Sequence, residues 1–163
     1  MKHRSLWLVV TLALSLIGPA QARLTEKEED LIKRFGKVVS RSEQNRSFEG
    51  RTFNVGTTLN FRADQWSIQV LMVDGRCAEI SYGKVGSWTN EQLIGLLDRN
   101  GGAAGYKEEK TGLGPSYRKW RQGDGVAAVF MLNKLTLTHP MLERRYALLK
   151  AKAGAESKRA PKF

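Results

Sequence analysis

Apolar and polar residues follow one another along this chain in three distinct rhythms. Residues 6–17 form a single run of 12 without charge, well short of the about 20 apolar residues that span a bilayer. Behind it, apolar residues recur at helical spacing in three places and alternate at strand spacing between them. Thr25-Glu26-Lys27-Glu28 reads as a capping box, in which a threonine hydroxyl and a glutamate three residues on satisfy the first free amides of a helix. Leu31, Ile32 and Phe35 share the face behind it, and Gly36 supplies a left-handed stop. Thr89-Asn90-Glu91-Gln92 repeats the box ahead of Leu93, Ile94, Leu96 and Leu97, and Trp88 stands where it can staple onto Leu93. Pro140 opens a third helix built on Met141, Leu142, Tyr146 and Leu149.

The alternating segments predict strands, and their parity predicts a register. Trp66, Ile68, Val70 and Met72 share one face; Ala78, Ile80 and Tyr82 follow beyond Asp74-Gly75. A two-residue turn would set Val70 opposite Glu79, whereas a three-residue loop, Val73-Asp74-Gly75, sets Val70 opposite Ala78 and Ile68 opposite Ile80. The second arrangement gathers all these apolar side chains on one face, so a three-residue loop with a bulge at Gly75 is expected. A strand near 57–62 completes this meander. Further on, 116–122 and 126–132 read as strands, and a two-residue Asn133-Lys134 turn would pair Leu132 with Leu135 and Phe130 with Leu137. Segments 37–50 and 101–115 read as loops. The resulting class is α+β: an antiparallel sheet of meanders with helices packed on one face, in two helix-plus-strands units.

The first run changes meaning once its flanks are included. Lys2, His3 and Arg4 precede it, Gly18-Pro19 breaks it, and Ala20-Gln21-Ala22 has the small-x-small form of a cleavage site. Residues 1–22 are therefore expected to be a signal peptide cleaved after Ala22, delivering the protein to the periplasm or the medium with no membrane span left. Residues 23–152 form one α+β domain, and 153–163 read as a basic, disordered tail rich in Ala, Gly, Ser and Lys. The chain carries +11 at neutral pH; without the leader's Lys2 and Arg4 it carries +9. Such an excess favours anionic partners, which in an envelope means lipid head groups, lipopolysaccharide, acidic wall polymers or an acidic protein, ahead of nucleic acid. Cys77, the one cysteine, sits in an apolar strand and is expected to be free and buried.

Candidate chemistry is sparse. The mature chain has one histidine, His139, and its place before Pro140 suits a helix cap better than a general base; pairing with Cys77 stays open. One cysteine and one histidine make a poor zinc set, and Asp74 and Asp124 are isolated turn aspartates rather than a calcium cage. No catalytic residue, metal ligand or cofactor is assigned. The binding candidate is Tyr117-Arg118-Lys119-Trp120-Arg121, where interleaved cations and aromatics suit an anionic ligand. Its plainer reading is one aromatic in the core and basic residues guarding a sheet edge. A non-enzymatic binding or interaction domain is thus the leading expectation. The alternative is a carboxylate-dependent envelope hydrolase using Glu79 with Glu108 or Glu109, provided these converge.

Arg34-Phe35-Gly36-Lys37 followed by the segment from Trp66 to Tyr82 around Asp74-Gly75 resembles a type of small exported bacterial protein of unknown function. The helix-then-meander order is also similar to β-lactamase-inhibitor-protein-like modules and to small outer-membrane assembly lipoproteins, although no lipidated cysteine stands at the cleavage point. The resemblance implies a binding scaffold rather than an enzyme, and it carries over no functional residue.

Overall fold

The computed structural model describes residues 24–101 and 105–159, so the expected signal peptide and residues 160–163 lie outside the described residues. In chain order the elements are α1 (Glu28–Phe35), β1 (Ser40–Phe48), β2 (Arg51–Ala63), β3 (Trp66–Val73), β4 (Arg76–Lys84), α2 (Asn90–Gly101), β5 (Lys107–Glu109), β6 (Tyr117–Arg121), β7 (Ala127–Met131), β8 (Lys134–Thr138) and α3 (Pro140–Arg159). The strands form one eight-stranded antiparallel sheet in the order β1-β2-β3-β4-β8-β7-β6-β5. Each meander is sequential, and their last strands, β4 and β8, join the halves. The α+β class with helices on an antiparallel sheet is the fold this chain adopts. No helix among the described residues is long and apolar enough to cross a membrane.

Both apolar stripes find partners, on opposite faces. Leu31 and Phe35 of α1 and Leu93, Leu96 and Leu97 of α2 pack on Phe61, Val70, Ile80, Tyr82, Trp120 and Leu137. The one-face expectation holds for these two helices. α3 lies against the other face, its Leu142 and Leu149 buried with Val55, Leu71, Val73 and Ala78. Leu71 and Val73 are the reason: they are the apolar residues that strand alternation turns away from α1 and α2. α3 also corrects the expected disorder beyond 153, since the helix runs to Arg159. Ala153 is fully buried, and Glu156 accepts from Arg51 at 2.7 Å. Small side chains that looked like tail composition are what let this helix lie close.

Turn chemistry corrects two registers. Asp74 and Gly75 both have positive φ and make a two-residue turn, with Val73 opposite Arg76 and Met72 opposite Cys77. The odd residue that parity demands is Ala78, not a loop position. The register slips there, so Leu71 faces Glu79 and Val70 faces Ile80. Such a bulge leaves backbone groups unpaired, and here they are taken. Thr25 N–H donates to Cys77 O at 2.7 Å, Cys77 N–H to Glu26 O at 2.9 Å, and His139 N–H to Ala78 O at 2.9 Å. Drawn into the sheet this way, Thr25 does not cap α1, which starts at Glu28 behind Lys27 without a side-chain cap. The second box does form: Gln92 N–H donates to Thr89 Oγ1 and Thr89 N–H to Gln92 Oε1, each at 3.2 Å.

The second hairpin is tight, as expected, but one residue earlier. Leu132 and Asn133 occupy the turn, both with positive φ, and Phe130 pairs with Leu135. Segment 37–50, read as loop, contributes β1, an edge strand exposed along its length until Phe48. The 101–115 loop contains the short β5.

Candidate functional site

Alternation along β6 splits the basic aromatic segment as its pattern implies. Trp120 points at α2 and is 2% exposed, a core residue. Arg118 points the same way, its guanidinium 4.8 Å from the Trp120 ring centroid. Its Nε and Nη2 donate to the two carboxylate oxygens of Glu108 at 2.7 and 2.8 Å, and its Nη1 donates to Asn90 Oδ1 at 2.7 Å. On the opposite face Lys119 and Arg121 share Glu109, at 2.7 and 2.9 Å. The register of β5, with Glu108 beside Trp120 and Glu109 beside Lys119, puts both acids where they meet these cations. Hydrogen bonds from Arg118 hold the Glu108 carboxyl below the usual range, and Lys119 and then Arg121 do the same for Glu109. The segment is therefore not an open cationic patch. Of its five residues, the structure brings Tyr117 and Arg118 to a common groove, buries Trp120, and pairs Lys119 and Arg121 on the far face.

That groove is where Tyr117 and Arg118 meet an apolar wall. It has a volume of about 800 Å³ and lies between the 86–90 loop, the start of β6 and the end of the β7–β8 hairpin. Ligand sites commonly span about 300–1,000 Å³ and combine apolar walls with a few placed polar groups. Here Trp88, Leu93, Tyr117, Phe130, Met131 and Leu132 supply the walls, and Asn90 and Arg118 supply polar groups. The Trp88 ring meets Phe130 edge-on at 5.2 Å, with Trp66 at 4.9 Å behind it. Trp88 Nε1 donates to Asn133 O and Asn133 Nδ2 donates to Gly86 O, both at 3.0 Å. The hairpin tip and the loop are thereby tied into one rigid rim.

Leu132 sits on that rim at φ 51°, a left-handed conformation costly for a bulky L-residue, yet it is 85% exposed. The sequence pattern places it at the end of a strand, paired with Leu135 across an Asn133-Lys134 turn. The signal that could have placed it is Asn133: asparagine tolerates the left-handed centre of a tight hairpin, and shifting the turn back one residue keeps Phe130 against an apolar partner.

The remaining candidates do not assemble. Glu79 is largely buried; desolvation raises its pKa, opposed by a 3.2 Å hydrogen bond from Thr138 Oγ1 and by the Lys134 charge. Glu79 on β4 and Glu109 on β5 are separated by four strand spacings, about 19 Å at about 4.8 Å each. A glycosidase pair needs about 5–9.5 Å. The convergence on which the carboxylate alternative depends is thus not met by these acids. His139 Nδ1 accepts from Met141 N–H at 3.2 Å, the helix cap expected of it, and burial lowers its pKa. Cys77 is free and fully buried, and burial with the Glu26 charge pushes its thiol far above the ordinary range. Among the described residues no three His, Cys, Asp or Glu side chains come close enough to hold a metal ion. No protein-family model, curated protein or solved structure matches the chain.

Proposed function

We propose that this protein is an exported, non-enzymatic binding domain of the bacterial envelope, and that it holds its partner at the groove between the 86–90 loop and the β7–β8 turn. Export rests on the leader pattern of residues 1–22 and is tested by fractionation with N-terminal sequencing, which should find the processed chain outside the cytoplasm beginning at Arg23.

The observation that carries the binding reading is Leu132. Folding alone would fill this turn with Asn-Gly. A leucine there costs conformational energy and shows its side chain to water, so its contribution lies outside the fold. The rigid rim around it favours binding as well, because a partner meeting a preorganised surface orders little on arrival. The helix-plus-meander resemblance points to a binding scaffold too.

The test is capture from an envelope extract with the exported protein as bait, at low and high salt, beside the Leu132→Asn variant. A partner recovered by the parent and lost by the variant supports the reading. Equal capture by both, or recovery of neither a protein nor a lipid partner at either salt, overturns it.

A further inference from the structure

We infer that the partner at this end of the sheet is an anionic lipid surface, which the loops meet edge-on without crossing it. This deepens the binding reading above and rests on it. Among the described residues seven large hydrophobic side chains are exposed, and four of them, Val85 at 94%, Leu132 at 85%, Leu113 at 64% and Met131 at 47%, lie at this one end. They come from three separate segments: Val85 follows β4, Leu113 precedes β6, and Met131 and Leu132 end the β7–β8 hairpin. The sheet brings them together, because Gly83, Lys134, Met131 and Tyr117 are successive neighbours across β4, β8, β7 and β6. The other three, Ile32, Val39 and Leu148, are scattered over α1, the segment after it and α3.

Cations surround the apolar tips. Lys84 Nζ donates to Gln92 Oε1 at 2.7 Å and lies 5.8 Å from the Trp66 ring centroid; Lys134 Nζ donates to Gln69 Oε1 at 3.4 Å. Both bond to amide oxygens rather than carboxylates, and Arg62 is exposed at the same end of β2. The acids nearby are Asp64 in the β2–β3 turn, Glu91 at the start of α2, Glu108 and Glu109, which Arg118, Lys119 and Arg121 already pair, and Glu79, whose pKa burial raises against the opposing Lys134 charge. Behind the tips stand half-buried Trp66 and Trp88. Aliphatic tips, then tryptophan, then lysine is the order in which a bilayer presents acyl chains, the interfacial zone and anionic head groups. Val85 stands outside the groove and Leu132 on its rim, positions that suit a fluid apolar phase better than a shaped protein pocket.

The experiment is vesicle sedimentation of the exported protein, with phosphatidylglycerol mixed into phosphatidylcholine and with phosphatidylcholine alone. Binding should require the anionic lipid and weaken with salt. Val85→Ser and Leu132→Asn should each reduce it about tenfold, and Lys84→Gln with Lys134→Gln should abolish the preference for phosphatidylglycerol. Leu148→Ser, at an exposed apolar site on α3 away from this end, should change nothing. Because Val85 and Leu132 are exposed, lost binding by their variants is read beside an unchanged circular dichroism spectrum. Sedimentation indifferent to Val85 and Leu132 overturns the inference. So does an absence of vesicle binding while the envelope capture recovers a protein in a Leu132-dependent way, an outcome that leaves the binding reading standing. No binding in either assay overturns both.

Discussion

Replacing Leu132 by asparagine should make this protein more stable. The left-handed conformation costs an ordinary L-residue about 1–2 kcal/mol, a penalty that asparagine largely escapes. Against that gain stands the packing lost with the leucine side chain, which is small because the residue is 85% exposed. The tie between the turn and the 86–90 loop survives, since Trp88 donates to the main-chain carbonyl of Asn133 and Asn133 keeps its own amide. The net expectation is a gain of about 1 kcal/mol, which for a domain of this size raises Tm by about 3 °C. Thermal unfolding followed by far-ultraviolet circular dichroism reads this directly, with Leu132→Gly as a second variant relieving the same strain. An unchanged or lower Tm for both would mean that Leu132 packs inward in solution, and the argument that its side chain serves a partner would fall with it.

Three further outcomes follow from the packing. Gly56→Ala would place a Cβ 2.0 Å from the Met72 carbonyl oxygen, forcing β2 and β3 apart; urea unfolding should show a loss of about 3 kcal/mol or more. Glu79→Gln keeps an acceptor for Thr138 while removing a carboxylate that burial disfavours. Its folded pKa lies above the unfolded one, so the parent loses stability as pH rises through the carboxylate range. The variant should therefore be the more stable near neutral pH, with the difference shrinking toward pH 4, as chemical unfolding at several pH values would show. Cys77 should resist thiol reagents in the native protein and react only on unfolding, a contrast measured by labelling with and without denaturant.

What the sequence made legible was whatever one element settles alone. Thr89, Gln92, Trp88 and Leu93 specify the start of α2 locally, and the reciprocal bonds are there. Parity between β3 and β4 correctly required one extra residue. Its place depended on a third party, because a bulge at Ala78 is tolerable only where Thr25, Glu26 and His139 arrive to satisfy the freed backbone groups. β1 gave no signal, since an edge strand with water on nearly all sides has no apolar face to alternate. The basic aromatic segment misled for a related reason. Its cations look unopposed until Glu108 and Glu109, in a stretch that reads as loop, become a strand beside them. Of that candidate only Tyr117 and Arg118 belong to the groove. Leu132, its most telling residue, reads as a strand residue paired with Leu135 because hydrophobicity says nothing about φ.

The bulge at Cys77 and Ala78 also sets an order of assembly. Within each meander the hairpins joined by two-residue turns bring near neighbours together and can close quickly. The junction of β4 with β8 joins residues as distant as Glu79 and Thr138. The same two bulge residues also receive Thr25 and Glu26 from ahead of α1 and His139 from between β8 and α3. Contacts of such sequence separation are the slow ones. Two locally closing ladders are thus expected to form ahead of one central seam, and a chain cut between β4 and β5 would leave halves that must rejoin along that seam and under α3, which lies across β2 and β3.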